Sequence, residues 1–326
     1  MQALQVTALD GPDALALVEI PEPPAADGMV LIDVHAAGAG FVDVLMTRGE
    51  YQIRPEPPYV PGIEMAGIVR EAPAGSSLQP GDRVAASALG GAFAEVALAP
   101  GLLTFALPAG MSFAQGAALV VNYQTAHLGL IRRGRTQPGE TVLVHGASGG
   151  VGTAAIQVAR ALGARTIAVA TGEAKLAVAR SAGADEALDA AGDWVAGVRE
   201  LTGGRGADVV VDPVGGDRFD ESLRCMAPEG RLLVVGFAAG RIPELKVNRL
   251  LLRHLDVVGV NWGGFIPIDP SIVATATADL NRWFGDGLID PVIGGRYPLA
   301  DGAQALRDLD TRTATGKPVI VVRPAD

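Results

Sequence analysis

The sequence predicts an α/β protein in which a doubly wound parallel sheet is combined with a smaller β-rich domain. The chain of 326 residues is longer than one hydrophobic core usually supports, so two domains are expected. The first hundred residues form short apolar runs separated by turns, whereas apolar runs alternate with helical patterns from residue 136 onward. A glycine-rich turn joins the first strand and the first helix of that alternating part.

Composition excludes several classes of protein. Hydrophobic residue types make up 49% of the chain and charged types 19%, which is typical of a folded globular protein and not of a disordered one. The net charge of −10 argues against a nucleic-acid partner, because phosphates require clustered Lys and Arg. The single cysteine, Cys225, allows no internal disulfide and is expected to be a small buried filler.

No targeting segment or membrane span is expected. The N-terminal residues lack a basic region and include Asp10 and Asp13. Residues 96–131 contain no charged side chain, but prolines, glycines and the polar residues Gln115 and Asn122 interrupt their apolar character. We therefore interpret this stretch as buried structure and expect a cytoplasmic protein with no membrane partner.

The first part of the chain predicts irregular β structure. Residues 92–98 form the last of five apolar runs that are bounded by Pro and Gly turns. Ser112 and Gln115 then form a capping-box pattern ahead of a long apolar stretch, which predicts a buried helix that runs to about residue 131. The other four predicted strands cover residues 14–20, 30–37, 63–69 and 83–87.

The second part predicts a parallel sheet that is covered on both faces, because its strands are apolar throughout. A helix near residues 299–309 and a strand at 318–322 follow, and we expect that strand to return to the N-terminal domain. The expected domains are therefore 1–117 with 290–326, and 118–289. The predicted strands of the sheet are 141–145, 165–170, 207–211, 231–235 and 255–260, with helices at 150–162 and 173–182.

The glycine-rich turn predicts a dinucleotide-binding site of the Rossmann type. Residues 142–152 read VLVHGASGGVG, with a strand before the glycines and a helix after them. The helix N-terminus can present backbone N–H groups to a pyrophosphate, and glycines permit its close approach. Against G-x-G-x-x-G, Ala147 replaces the first glycine, while Gly149 and Gly152 match the others.

The residues after the second strand favour NADPH over NADH. An NAD site usually places an acid at the tip of this strand, to bond the ribose 2′-OH. Here the strand ends in Ala170, Thr171 and Gly172, with Lys175 on the first turn of the following helix. A missing acid and a nearby cation favour a 2′-phosphate, although Glu173 leaves NADH open.

Several further blocks follow one another in a fixed order: DVLMTRGEY at 43–51, PGIE at 61–64, GDRV at 81–84, NYQTA at 122–126 and TGK at 315–317. Together with the glycine turn, they resemble the zinc-independent NADPH:quinone oxidoreductase family of the medium-chain dehydrogenase/reductase superfamily. The resemblance implies a Rossmann domain, a GroES-like β-rich domain that the C-terminal tail completes, and a homodimer formed through the Rossmann sheets.

The resemblance also implies contacts to NADPH. Thr125 would border the nicotinamide, Lys175 would bind the 2′-phosphate, and Lys317 would reach the cofactor from the tail. The full set of expected cofactor-binding residues is Thr125, Gly146, Ser148, Gly149, Gly150, Val151, Gly152, Thr171, Lys175, Gly236, Phe237, Val260, Asn261 and Lys317.

Two departures from the family pattern affect specificity. Many relatives carry Asn where this chain has Gly40, so their substrate recognition does not transfer directly. A Tyr that often follows the third strand of the Rossmann sheet is replaced by Leu188-Asp189-Ala190, which weakens the prediction of NADP selectivity.

No zinc site is expected. The Gly-His-Glu element of zinc-dependent members is replaced by Gly62-Ile63-Glu64, and an Ile side chain cannot donate a lone pair. We expect Glu64 to be structural and bonded to backbone. The four histidines, His35, His127, His145 and His254, are scattered without ligand spacing.

Without a metal, reduction of a quinone or an α,β-unsaturated carbonyl is more feasible than oxidation of an alcohol, because an alkoxide needs stronger stabilisation. Tyr51 is the candidate proton donor, with packing against the substrate as the simpler alternative. Asp43 is expected to anchor backbone. The expected substrate-pocket residues are Gly40, Phe41, Met46, Tyr51 and Trp262, with core packing as the alternative for the three large apolar side chains.

Two other functions remain open. An enoyl thioester reductase would require a cationic patch for the phosphates of its carrier, to which Arg48, Arg54, Arg132 and Arg133 are candidates. A non-catalytic NADPH-binding structural or sensor protein would carry the same glycine turn, so the turn does not discriminate between binding and turnover.

Overall fold

A computed structural model describes residues 1–324 of the chain and divides it into two compact units. Unit 1 comprises Met1–Val121 together with the chain from Pro291 onward, and unit 2 comprises Asn122–Asp290.

The strands of the described chain are β1 Gln2–Val6, β2 Leu15–Glu19, β3 Met29–Gly38, β4 Glu64–Glu71, β5 Arg83–Ser87, β6 Val96–Pro100, β7 Thr104–Ala106, β8 Thr141–His145, β9 Arg165–Ala170, β10 Glu186–Asp189, β11 Ala207–Asp212, β12 Met226–Val234, β13 Asp256–Gly259, β14 Ile293–Pro298 and β15 Lys317–Val321.

The α-helices are α1 Phe41–Thr47, α2 Phe113–His127, α3 Gly150–Ala161, α4 Glu173–Ser181, α5 Trp194–Leu201, α6 Asp217–Ser222, α7 Asn248–Arg253, α8 Trp262–Phe265, α9 Ser271–Gly285 and α10 Gly302–Asp310. A π-helical segment, Leu128–Arg133, continues α2.

Unit 1 is built on a sheet whose strand order is β14-β15-β3-β4-β5-β7, with β6 also paired to β3. The tail strand β15 runs antiparallel to β3, and Val319 lies opposite Gly38. The expectation that the tail returns to the N-terminal β structure is therefore confirmed. Buried residues such as Ile32, Met65 and Phe93 form the core of this unit.

Unit 2 contains a parallel sheet with the strand order β10-β9-β8-β11-β12-β13. Numbered within the unit this is 3-2-1-4-5-6, the order of a Rossmann fold, so the predicted fold class is confirmed. The middle residues of β8, Val142 to Val144, have no exposed surface because the sheet is covered on both faces.

The predicted elements match the observed ones closely where the pattern is local. The capping box is present, since the Ser112 amide and hydroxyl both bond Gln115 Oε1 and the Gln115 amide bonds Ser112 Oγ. The sequence prediction contained neither α1 nor α9. The buried residues of α9 are Val273, Ala276, Leu280 and Trp283, whose spacing is helical, so the signal was present in the sequence.

None of the helices within residues 1–324 has the length and apolar character that crossing a bilayer requires.

Candidate functional site

The glycine turn of unit 2 is a tight connection between β8 and α3. Gly146 follows β8 directly and has a φ of +57°, a left-handed conformation that glycine adopts without strain. The amide of Ala147 donates to the carbonyl oxygen of Val169 at 3.2 Å, which ties the turn to β9. Gly149 then takes the N-cap position of α3 with extended backbone.

Gly152 allows α3 to pack directly on the turn. A Cβ atom at this position would lie 2.2 Å from the carbonyl oxygen of Gly146 and 2.7 Å from the Cα of Ala147. No side chain caps the N-terminus of α3. Since the first amides of a helix lack intrahelical partners, the start of α3 can donate hydrogen bonds to an anion such as a pyrophosphate.

Asn122, which the sequence analysis did not single out as a site residue, lies against the turn. Its Nδ2 atom is 2.2 Å from where a Cβ on Gly150 would stand, and its side chain is buried. Asn122 lies on α2, which also carries the predicted nicotinamide neighbour Thr125, itself 7% exposed. Ser148 is buried in the turn, and Val151 is half-buried on the first turn of α3.

The tip of β9 carries the residues that were predicted to select the cofactor. Thr171 is exposed just beyond the strand, and Lys175 is half-buried on the first turn of α4. Glu173, because of which NADH stayed an alternative cofactor, forms an ion pair with Arg180. The carboxylate of Asp189, at the end of the neighbouring strand β10, accepts hydrogen bonds from the amides of Ala191 (2.9 Å) and Gly172 (3.3 Å).

These amides lower the pKa of Asp189 below its ordinary value, so the carboxylate is charged at neutral pH. An acid therefore lies beside the tip of β9, although it belongs to the next strand along the sheet. From the sequence, Asp189 was predicted only to belong to the segment that replaces a tyrosine, because an acid that bonds the ribose was expected at the second strand alone.

The other predicted cofactor residues of unit 2 follow the ends of β12 and β13. Phe237 is 38% exposed after β12, beside Gly236. Val260 is buried, and its amide donates to Val234 O at 2.9 Å. Asn261 caps α8 by accepting from the Gly264 amide at 3.0 Å. The predicted set in unit 2, apart from Thr125 on α2, thus clusters beyond the carboxyl ends of parallel strands, where doubly wound sheets bind ligands.

Unit 1 holds the remaining predicted residues, beginning with Gly40 at the start of α1. Asp43 is fully buried, and its Oδ2 atom accepts the Gly40 amide at 2.8 Å, so the expected anchoring role of Asp43 is confirmed. Its Oδ1 atom has no hydrogen-bond partner of normal geometry. Burial raises the pKa of Asp43 to about 7, against the effects of the Lys317 ammonium and the Gly40 and Gly62 amides.

Lys317 pairs with Glu64 inside unit 1. Both side chains are buried, and Nζ of Lys317 donates to Oε1 of Glu64. Oε2 of Glu64 accepts the amide of Val121 at 3.0 Å, which agrees with the expected bonding of Glu64 to backbone. The predicted contact of Lys317 to the cofactor stays a prediction, because the ammonium is engaged with a buried carboxylate.

Tyr51 lies in the loop that follows α1 and is half-buried. Burial raises the pKa of Tyr51 above its ordinary value, and the nearby Asp43 carboxylate adds to this shift. Phe41 packs against the core of unit 1, and Met46 is only 1% exposed. This burial favours core packing, the alternative role of both side chains.

Trp262 is buried in unit 2, where its Nε1–H group donates to Oε1 of Gln124 at 3.2 Å. The two side chains border a cavity of about 170 Å³ between α2, α8 and α9. Its polar lining includes His127, whose Nε2 atom lies 3.0 Å from Asp279 Oδ2.

The arginines considered for a carrier phosphate are all engaged within their own units. Arg48 pairs with Asp310, and Arg54 Nε donates to the carbonyl oxygen of Tyr51 at 3.1 Å. Arg132 lies 3.8 Å from Asp269, and Arg133 donates to the carbonyl oxygen of Gly259 at 3.1 Å.

Within residues 1–324 no three His, Cys, Asp or Glu side chains are grouped in a way that could hold a metal ion. His145 is fully buried, where desolvation lowers its pKa to about 3, and it bonds Ser222 Oγ at 2.7 Å. It is therefore a neutral packing residue.

Comparison with known proteins gives matches along the whole chain. Residues 26–109 match the family described as "Alcohol dehydrogenase GroES-like domain", and residues 150–278 match the one described as "Zinc-binding dehydrogenase". The chain is 37% identical to the quinone oxidoreductase-like protein 2 homolog of Nematostella vectensis over 296 residues, which cover 89% of this chain and 81% of the relative.

Two solved structures are similar over nearly their full length. A probable oxidoreductase from Mycobacterium abscessus has a TM-score of 0.91 and 43% identity, with 99% of each chain covered. The quinone oxidoreductase of Thermus thermophilus, solved also as its complex with NADPH, has a TM-score of 0.86 and 38% identity, with 99% of this chain and 100% of that chain covered.

Proposed function

The chain belongs to the quinone oxidoreductase family of the medium-chain dehydrogenases and reductases, and from this premise we propose that it transfers hydride from NADPH to a quinone or an α,β-unsaturated carbonyl compound without zinc. Unit 2 would be the dinucleotide-binding domain and unit 1 the substrate domain. NADPH would supply the hydride when bound.

One observation carries the dinucleotide-binding part of the proposal, and the oxidoreductase relatives support turnover. The start of α3 is uncapped and lies directly on the glycine turn, and the space of a Gly152 side chain is already filled by the backbone of Gly146 and Ala147. A dinucleotide pyrophosphate fits this arrangement, since it needs backbone donors and a close approach. The complex of the Thermus thermophilus relative with NADPH supports the same ligand.

The choice of NADPH over NADH is supported by Lys175 on the first turn of α4 and by the pairing of Glu173 with Arg180. An ion-paired Glu173 is less available to a ribose hydroxyl. Asp189 opposes this choice, because a carboxylate beside the tip of β9 would repel a 2′-phosphate.

Zinc-independent chemistry is supported by what surrounds Glu64. Its carboxylate is neutralised by Lys317 and bonded to the Val121 amide, and the preceding residue is Ile63. Hydride addition to a conjugated carbonyl places negative charge on oxygen, which a hydrogen-bond donor can stabilise. We propose Tyr51 as that donor and as the source of the proton.

A homodimer formed through the Rossmann sheets is supported by the exposed end of unit 2. Strand β13 is the last strand of the six-stranded sheet in the described chain, so its outer edge has no strand partner there. Leu251 and Leu252 on the preceding α7 are 75% and 74% exposed. An apolar surface beside an unpaired strand edge fits a second copy of the chain. Light scattering of the purified protein measures its oligomeric state and so tests the proposed dimer.

The proposed activity is tested by following NADPH oxidation with a quinone, an enone and a crotonyl thioester as acceptors. We expect turnover with the quinone or the enone, and a lower kcat in Tyr51→Phe because the variant cannot donate the proton. An unchanged kcat in Tyr51→Phe would exclude Tyr51 as the donor.

Turnover with the thioester alone would favour an enoyl thioester reductase. Measurable NADPH binding without turnover of any acceptor would favour a non-catalytic sensor and overturn the proposal.

A further inference from the structure

Three ionisable side chains from distant parts of the sequence form a buried cluster in unit 1. Asp43 and Glu64 have no exposed surface, and Lys317 is 3% exposed. They lie on α1, β4 and β15, respectively. We refer to Asp43, Glu64 and Lys317 as the charge cluster.

Within the charge cluster, Asp43 is the carboxyl whose charge is not compensated directly. Glu64 is bonded to both the Lys317 ammonium and the Val121 amide. Asp43 interacts with backbone amides instead: the Gly40 amide donates to its Oδ2 atom, the Gly62 amide also favours its charged form, and its Oδ1 atom is buried without a partner of normal geometry. With all three groups ionised the cluster would carry a net negative charge, whereas with Asp43 protonated it is neutral. A buried neutral cluster is favoured over a charged one.

The groups that face Asp43 determine where it titrates. Burial raises the pKa of Asp43 to about 7, and the Glu64 carboxylate adds to the increase. The Lys317 ammonium and the amides of Gly40 and Gly62 oppose it. Asp43 therefore changes its charge near neutral pH.

The charge on Asp43 acts on the phenols of the same unit. It adds to the effect of burial in raising the pKa of Tyr51, and likewise in raising the pKa of Tyr59 to about 12. Asp43 Oδ2 and Lys317 Nζ also border Gly40, where a Cβ would lie 3.5 Å and 3.4 Å from them. The cluster thus lies immediately behind a residue of the predicted substrate pocket.

We infer that Asp43 is a positioning residue that controls proton donation to the reduced substrate: its uncharged form supports donation by Tyr51, and its ionised form weakens it. This inference rests on the proposed reduction of a quinone or enone with Tyr51 as the acid. Hydride from the reduced nucleotide forms the new bond to substrate, which takes up both electrons while the nucleotide is oxidised. The O–H bond of Tyr51 breaks, its proton goes to the anionic substrate, and the tyrosinate regains a proton from water.

The sign of the pH dependence follows from the charges. As the pH rises through about 7, Asp43 loses its proton and becomes an anion near Tyr51. The anion disfavours a second negative charge on the phenolate, so Tyr51 becomes a weaker acid. The kcat should therefore fall across neutral pH, well below the pH at which Tyr51 itself ionises.

The kinetic test compares the pH profile of kcat in the wild type and in Asp43→Asn. The amide of Asn can accept the Gly40 N–H bond but stays uncharged at every pH. We expect kcat of the wild type to fall several-fold across neutral pH and the profile of Asp43→Asn to be flat there, with the KM for NADPH unchanged. Asp27→Asn, the same substitution at an exposed site of unit 1, should keep the wild-type fall. A fall in Asp43→Asn that equals that of the wild type would overturn the inference.

A second test needs no turnover and uses the absorbance of the phenolates. The chain has four tyrosines, so the titration step of Tyr51 is identified as the one missing from Tyr51→Phe. We expect this step at a lower pH in Asp43→Asn than in the wild type. A step at the same pH in both proteins overturns the inference. Absence of turnover with every acceptor overturns the proposed function instead, and the titration separates the two failures.

Folding of the variant is checked by its unfolding free energy at several pH values. Between about pH 4 and 7 the folded wild type holds a proton on Asp43 that the unfolded chain has released, so its stability falls as the pH rises. Asp43→Asn should lack this decrease. Asp43→Ser, which is also uncharged, serves as a second variant for both the kinetic and the titration tests.

Discussion

The glycine turn of unit 2 and the charge cluster of unit 1 stabilise charged groups in different ways. The turn occupies consecutive residues 146–152, none of which is ionisable, and offers backbone amides that carry a fixed dipole at every pH. The charge cluster joins side chains that are distant in sequence, with Glu64 and Lys317 lying 253 residues apart, and one of its carboxyls titrates near neutral pH. The turn is therefore a local, pH-independent device, whereas the cluster depends on the complete fold of its unit and responds to pH.

The largest effect is expected when the cation of the charge cluster is removed. Lys317→Met leaves Glu64 buried without its counter-charge, and we expect a loss of about 3–5 kcal/mol in the free energy of unfolding. Urea unfolding measures the change. The matched control is Lys246→Met, because Lys246 is exposed and the same substitution there should change stability little.

A double variant separates the effect of the lysine's charge from that of its packing. Lys317→Met combined with Glu64→Gln removes both charges, so it should be more stable than Lys317→Met alone. If the double variant is no better than the single one, the loss comes from the lysine's packing and not from its charge.

The next effect is expected in the turn. Gly152→Ala places a Cβ against the backbone of Gly146 and Ala147, which must move, and overpacking of this kind costs about 1–3 kcal/mol. We also expect NADPH affinity to fall, since the amides at the start of α3 shift with the helix. Isothermal titration and urea unfolding measure the two effects.

Gly285→Ala is the control for this substitution. Gly285 ends α9, is exposed, and has open space around the position of a Cβ. The alanine there should leave NADPH binding unchanged and stabilise the helix by up to about 1 kcal/mol. Equal behaviour of the two alanine variants would show that close packing at Gly152 does not matter.

The smallest effect is expected at the tip of β9. Lys175→Met should lower the preference for NADPH over NADH by about tenfold, or about 1.4 kcal/mol, because the half-buried ammonium is partly screened by solvent. The ratio of the two kcat/KM values measures it, with Lys246→Met as the control. An unchanged ratio would assign cofactor selection to other residues, and Asp189→Asn would then be the variant to measure.

The features that could be predicted from the sequence are those that depend on residues close together in the chain. The Rossmann sheet, the capping box of Ser112 and Gln115, and the strand–turn–helix around the glycines each follow from short-range patterns. A backbone-anchoring role for Asp43 was also predicted, and the structure identifies its partner as the amide of Gly40, three positions away.

The charged groups of the site that were missed depend on contacts between residues that are distant in the chain. Nothing near Glu64 indicates that Lys317 neutralises it, because β15 comes beside β3 only in the folded sheet. The carboxylate of Asp189 reaches the tip of β9 from another strand for the same reason. Ionisation of Asp43 could not be inferred from sequence, since it depends on burial.

The placement of β15 has a consequence for synthesis of the protein on the ribosome. Unit 2 is continuous in sequence, so all of its strands are available before translation reaches residue 317. Unit 1 must wait, because the strand between β14 and β3 is made only after the whole of unit 2. Until Lys317 emerges, the carboxylate of Glu64 lacks its counter-charge, and burying it unpaired is unfavourable, so closure of the interior around Glu64 is disfavoured in the nascent N-terminal segment.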